Sequence, residues 1–157
     1  MDWHGRRVLI TGGASFIGSH LVDALVERGA DVRVADDLSS GHLSHVQLHL
    51  DEGKIEFVQG DLRETDVARK ATEGMGVVFH LAADHGGRGY VDTYQAGPAT
   101  NLLLDGMIFQ EALKAGVEKV VFASSGCVYP NYLQANPDED LYLTEDQVQP
   151  PYDADNM

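Results

Sequence analysis

One cysteine in 157 residues, Cys127, leaves no partner for an internal disulfide and excludes a cysteine-only metal site. Basic residues are scarce as well. Lys and Arg total 11 against 25 Asp and Glu, for a formal net charge of −14. The basic residues are scattered and adjacent only as the pairs Arg6-Arg7 and Arg69-Lys70, too little to neutralise a phosphate backbone, so nucleic acid is not an expected partner. No apolar run approaches the ~20 residues of a membrane span. The opening Met-Asp-Trp-His-Gly lacks the basic-then-apolar order of a secretory signal. The expectation is a soluble cytoplasmic protein with no membrane partner. Asp outnumbers Glu, which suits either an ordinary acidic protein or a salt-loving source. Proline is nearly absent before residue 130, where Pro98 stands alone.

Glycine and β-branched residues are plentiful, and their order is informative. Arg7-Val8-Leu9-Ile10-Thr11 predicts a strand that runs into Gly12-Gly13-Ala14-Ser15-Phe16-Ile17-Gly18. Ile17, Leu21, Val22, Leu25 and Val26 then recur at helical spacing over roughly 17–28, and Gly29 stops that helix. Residues 31–36 read as a second strand. Strand, Gly-rich turn, helix and strand within forty residues form a right-handed parallel unit.

The alternation continues. Strands are expected at 54–59, 77–82 and 120–123, a short charged helix at 64–73 and a long helix at about 95–115. The run Val77-Val78-Phe79-His80-Leu81-Ala82 suits a central parallel strand covered on both faces, with His80 a satisfied core histidine. The fold class is α/β, a doubly wound parallel sheet of Rossmann type. Residues 1–129 form its dinucleotide-binding domain. Residues 130–157 hold four prolines, seven acidic residues and no Lys or Arg, and read as an acidic loop. That loop is expected to lead to C-terminal strands and a substrate domain beyond the chain.

A dinucleotide turn needs small residues where backbone approaches pyrophosphate, and a helix N-terminus aimed at the phosphates. Gly12 and Gly18 fit the outer positions. Ser15 fits the middle one, with a hydroxyl that can donate to phosphate. Asp36 and Asp37 close the second strand. A carboxylate there accepts ribose hydroxyls and repels a 2′-phosphate, so NAD is preferred to NADP. Asp36 is the ribose ligand, and Asp37 is a candidate cap for the next turn. Arg33 lies inside the strand, the wrong place for a phosphate clamp. Asp61-Leu62 suits an adenine amine and an apolar wall. Ala82-Ala83 lets a dinucleotide lie over the sheet edge.

The loop Asp84-His85-Gly86-Gly87-Arg88-Gly89-Tyr90 falls at the same edge, where Arg88 can clamp a diphosphate or sugar oxygen. No His-Glu-x-x-His or Cys/His cluster occurs, so no metal site is expected. His42, His45 and His49 share helical spacing but lack a carboxylate or cysteine beside them. Ser124-Ser125-Gly126-Cys127 follows the fifth strand. Ser125 is a candidate catalytic hydroxyl. Cys127 is either a proton-exchanging thiol or a small buried hydrophobe.

These motifs together resemble the N-terminal half of the extended short-chain dehydrogenases/reductases that act on nucleotide sugars. The resemblance implies an NAD-dependent epimerase working on a nucleotide-diphosphate sugar through a transient 4-keto species. It implies cofactor contacts at Gly12, Ser15, Phe16, Ile17, Gly18, Asp36, Asp61, Leu62, Ala82, Ala83 and Asn101. Asn101 matches the asparagine that braces the active site, and Ser125 the catalytic serine. Family members commonly dimerise through two long helices per subunit, which implies a homodimer. The 84–89 loop and Ser125-Gly126-Cys127 are similar to segments of the GDP-mannose 3,5-epimerase subgroup. That similarity implies Gly87 and Arg88 at the substrate and Cys127 as one member of an acid/base pair. A 4-epimerase, a 4,6-dehydratase and a non-catalytic NAD-binding module are the alternatives. The family's Tyr-x-x-x-Lys pair is not found: Tyr129, Tyr132 and Tyr152 all lack a lysine four residues on.

Overall fold

A computed structural model describes residues 2–86, 88–94, 96–125, 129 and 142–148, with backbone alone at 88, 91 and 92. The chain divides into two compact units, residues 1–123 and 124–157. In the first unit five strands, β1 (Arg7–Thr11), β2 (Asp31–Asp36), β3 (Ile55–Gln59), β4 (Val77–His80) and β5 (Lys119–Phe122), form one sheet in the order β3-β2-β1-β4-β5. Every neighbouring pair is parallel. The direction of winding reverses between β1 and β4, the switch point at which open α/β sheets bind ligands.

Alternation along β1 builds both layers at once. Val8 and Ile10 point to the side covered by α1 (Phe16–Glu27), where they meet Val22, Leu25, Val32 and Val34. Leu9 points to the side of α3 (Thr65–Thr72) and α6 (Asn101–Lys114), against Ala68, Ala71, Val78 and Ile108. Each large aliphatic side chain so buried contributes roughly 1.5–3 kcal/mol. Arg33 is engaged within the fold. Its Nε donates to Glu56 and its Nη1 to the carbonyls of Lys70, Ala71 and Glu73, which closes the C-terminal end of α3.

Two expectations are corrected. The long helix at 95–115 is α5 (Ala96–Ala99) followed by α6, with Thr100 turning between them. Gly97 and Pro98 favour a break there, and the Thr100 hydroxyl donates to the Gly97 carbonyl at 2.7 Å. His42, His45 and His49 do not share a helix face. Leu43–His45 is a 3-10 turn and Gln47–Asp51 a separate helix, α2. His45 bonds the Ala14 carbonyl and His49 the Asp23 carboxylate, at 2.7 Å for the latter. Among the described residues no three side chains gather as metal ligands. A short helix, α4 (Arg88–Thr93), precedes α5. In the second unit, Thr144 caps a 3-10 turn at Glu145–Gln147.

Candidate functional site

A cavity of about 460 Å³ opens at the C-terminal ends of the strands, within the first unit. It gathers Gly12, Ser15, Asp36, Asp61, Leu62, Ala82, Ala83 and Asn101 from three loops, the end of β2 and the start of α6. Each of these eight was singled out from sequence.

The floor is backbone. Gly12 has φ +69, and a Cβ there would lie 2.9 Å from the Ala82 amide nitrogen. A Cβ on Gly18 would lie 2.1 Å from the Gly12 carbonyl oxygen. Only hydrogen fits at either position, so the turn, the first coil of α1 and the β4 loop close to a bare-backbone cradle. The Ser15 hydroxyl donates to the Gly12 carbonyl at 2.6 Å and does not cap α1. The single proton offered to phosphate in the sequence reading is thus engaged with the turn itself. The amides of the first turn of α1 receive no side-chain cap, which leaves them to an anion.

Asp36 is 6% exposed. Its Oδ2 accepts from the Ala14 amide at 3.0 Å and its Oδ1 from the Leu38 amide at 2.9 Å. Each oxygen keeps a free lone-pair direction in this count, and two ribose hydroxyls need two acceptors. Gly41 faces the same carboxylate, since a Cβ there would lie 2.9 Å from Oδ1. Leu38, φ 62, is the described non-glycine residue in the left-handed region, and its amide bond to Asp36 holds it there. Asp37 caps the turn instead, accepting from the Ser39 amide at 2.9 Å and the Ser39 hydroxyl at 2.7 Å.

Asp61 stands in the cavity wall. Both of its oxygens face Arg63, which donates from Nε at 2.9 Å, from Nη2 at 2.7 Å and from its own amide at 2.8 Å. These bonds hold the Asp61 carboxyl below its ordinary range, and partial burial opposes them. Arg63 also donates from Nη1 to Thr100 at 3.1 Å and lines the cavity. Sequence reasoning missed it. The signal was the Asp-x-Arg spacing, close enough for a guanidinium fork to grip its own loop.

Asn101 clamps the opposite wall. Its Oδ1 accepts from the Asp84 amide at 2.8 Å and its Nδ2 donates to the Asp84 carbonyl at 2.9 Å. The Tyr90 hydroxyl donates to Asp84 Oδ1 at 2.8 Å, a bond that pushes the Tyr90 phenol up. Phe16 and Ile17 stand exposed at the start of α1 and, with Gly18, outside the cavity lining. Ser125 is exposed and belongs to the second unit. Gly87, Cys127 and the Arg88 side chain lie outside the described residues.

The model of the NAD dependent epimerase/dehydratase family matches residues 8–155. A UDP-glucose 4-epimerase of Mycolicibacterium smegmatis is 39% identical over 121 residues, covering 76% of this chain and 39% of that protein. GDP-mannose 3,5-epimerase 1 of Oryza sativa subsp. japonica is 32% identical over 149 residues, covering 94% and 38%. An epimerase structure from Methanothermobacter thermautotrophicus superposes with a TM-score of 0.77 at 32% identity, covering 92% and 41%. The chain spans about two fifths of the length of the curated relatives it matches.

Proposed function

Because this chain belongs to the NAD dependent epimerase/dehydratase family, we propose that the protein binds NAD in the cradle and epimerises a nucleotide-diphosphate sugar. The observation that carries the reading is Asp36: a buried carboxylate with acceptor capacity left, beside a floor that admits no Cβ. Bound NAD supplies a hydride acceptor that becomes a donor. The chain's own residues do the rest. Gly12 and Ala82 leave room for pyrophosphate, the start of α1 offers amides to it, and Leu62 walls the adenine. Asp36 accepts the adenosine ribose hydroxyls and disfavours a 2′-phosphate. Ser125 holds the C4 oxygen of the sugar and eases loss of its proton. Cys127 is one member of an acid/base pair in which one group removes the proton from a carbon next to the transient ketone and the other delivers a proton to the opposite face.

The finer reading is 3,5-epimerisation, supported by the Gly-rich loop at 84–89, the Ser-x-Cys segment and the extent of likeness to the rice enzyme. A second reading, 4-epimerisation, draws on the higher identity to the mycobacterial enzyme. Solvent deuterium separates them. Label at C3 or C5 of a sugar that keeps its C6 hydroxyl supports the first. Inversion at C4 without label supports the second, and loss of the C6 hydroxyl points to a dehydratase. We also propose a homodimer that uses the exposed face of α6.

A further inference from the structure

The cradle floor is tied to a buried histidine that the reaction scheme leaves unused. His80 is 1% exposed and Thr11, its register partner across β1 and β4, is 0% exposed. The Thr11 hydroxyl oxygen lies 3.1 Å from the Leu81 amide and 3.1 Å from the Ala82 amide. The Leu81 amide is shared with the Thr11 carbonyl at 3.3 Å, whereas Ala82 is held by the hydroxyl. Accepting from both amides fills the hydroxyl's two lone pairs, so its one proton must go elsewhere. It points to His80 Nδ1 at 2.7 Å, which therefore accepts. A neutral ring that accepts at Nδ1 carries its proton on Nε2, and Nε2 donates to Asp105 Oδ1 at 3.1 Å. The rings of Phe109 and Phe122 flank the imidazole at 6.0 and 5.9 Å and keep it dry. Burial lowers its proton affinity against the pull of Asp105.

We infer that His80 is a positioning residue for the cofactor site: by accepting from Thr11 it orients that hydroxyl, which holds the Leu81 and Ala82 amides at the Gly12 contact. Asp105 on α6 fixes the ring's tautomer from the other side, so α6 and the crevice floor are one hydrogen-bonded unit. The wrong tautomer would set two N–H groups against each other: Nδ1–H would compete with the backbone amides for the same oxygen. The Ala82 amide would then move, and with it the narrow gap to Gly12.

The inference deepens the NAD reading and rests on it only for its affinity arm. The test uses the full chain and paired variants. Asn places an amide oxygen where Nδ1 stands, so His80→Asn keeps an acceptor for Thr11. Gln reaches to the Nε2 position, so His80→Gln keeps the donor to Asp105 and loses that acceptor. Thr11→Ser keeps the hydroxyl and Thr11→Val removes it. In the wild type, the 15N spectrum of the ring should report an Nε2–H tautomer. Exchange of the Leu81 and Ala82 amides should quicken by about tenfold in His80→Gln and Thr11→Val and by less than about threefold in His80→Asn and Thr11→Ser. The amides of Val8 and Leu9 report global opening and should not separate the pairs. NAD affinity should follow the same split, a tenfold loss being about 1.4 kcal/mol. An Nδ1–H tautomer, equal exchange in His80→Asn and His80→Gln, or full protection in Thr11→Val would overturn the inference. If the wild type bound no NAD, the functional reading would fall, and the tautomer and exchange results would still decide this one.

Discussion

At the scale of single residues, the site is built by giving each polar atom one task. Asp36 spends one lone pair per oxygen on the backbone and keeps the rest for a ligand. Replacing it by Asn keeps shape and removes charge. We expect Asp36→Asn to weaken NAD by roughly tenfold to a hundredfold, in line with the ~1.5–3 kcal/mol of a hydrogen bond to a charged group. Calorimetric titration checks this, and an unchanged affinity would remove Asp36 from the ribose. Gly12→Ala should cost more than affinity. Its Cβ would strike main chain at 2.9 Å, where no side chain can swing away, and φ is +69. A loss of about 1–3 kcal/mol in denaturant stability is expected. Asp36 and Gly12 were legible because strand ends and glycines mark themselves. Arg63 was not, because a lone arginine ahead of a charged helix looks like surface until its fork is seen closing on Asp61.

Among the elements, α6 carries two opposed demands. Ile108 is fully buried against the sheet, whereas Leu102 and Leu113 are each 82% exposed. Ile108→Ala should therefore cost about 2–5 kcal/mol of stability. Leu102→Gln with Leu113→Gln should leave monomer stability within about 0.5 kcal/mol per site and abolish the proposed dimer. Light scattering beside thermal unfolding separates these outcomes. A double variant that stays dimeric would move the interface off α6. The five strands were readable because apolar β-branched runs bounded by Gly and Asp leave few alternatives. The helix after β4 was read too long. The helical pattern is interrupted at Thr100, between Ala96–Ala99 and Asn101–Lys114. Asn101 was recognisable only through family resemblance, since nothing local says that its amide will clamp the Asp84 backbone.

For the molecule as a whole, acid should act in two stages. The folded chain keeps His80 neutral below its ordinary 6.5, while the unfolded chain protonates it there. The unfolded state then binds more protons, so stability falls as pH drops from about 6.5 toward the lowered folded value. Asp61 adds the second stage. Its folded pKa lies below the ordinary 3.8 because of Arg63. Its contribution is present above that value and is lost as pH falls through the folded one. Denaturant unfolding from pH 7.5 to 3 should show both declines. His80→Asn should flatten the upper one and Arg63→Gln the lower, and the reverse assignment would contradict the two environments described here.

The central claim is that the crevice between β1 and β4 is an NAD site read by a buried carboxylate. Paired titration of the protein with NAD and with NADP at one ionic strength tests it most directly, because the two ligands differ only in a 2′-phosphate placed against Asp36. The account predicts that NAD binds at least about tenfold more tightly, a gap of about 1.4 kcal/mol. Tighter binding of NADP would contradict it.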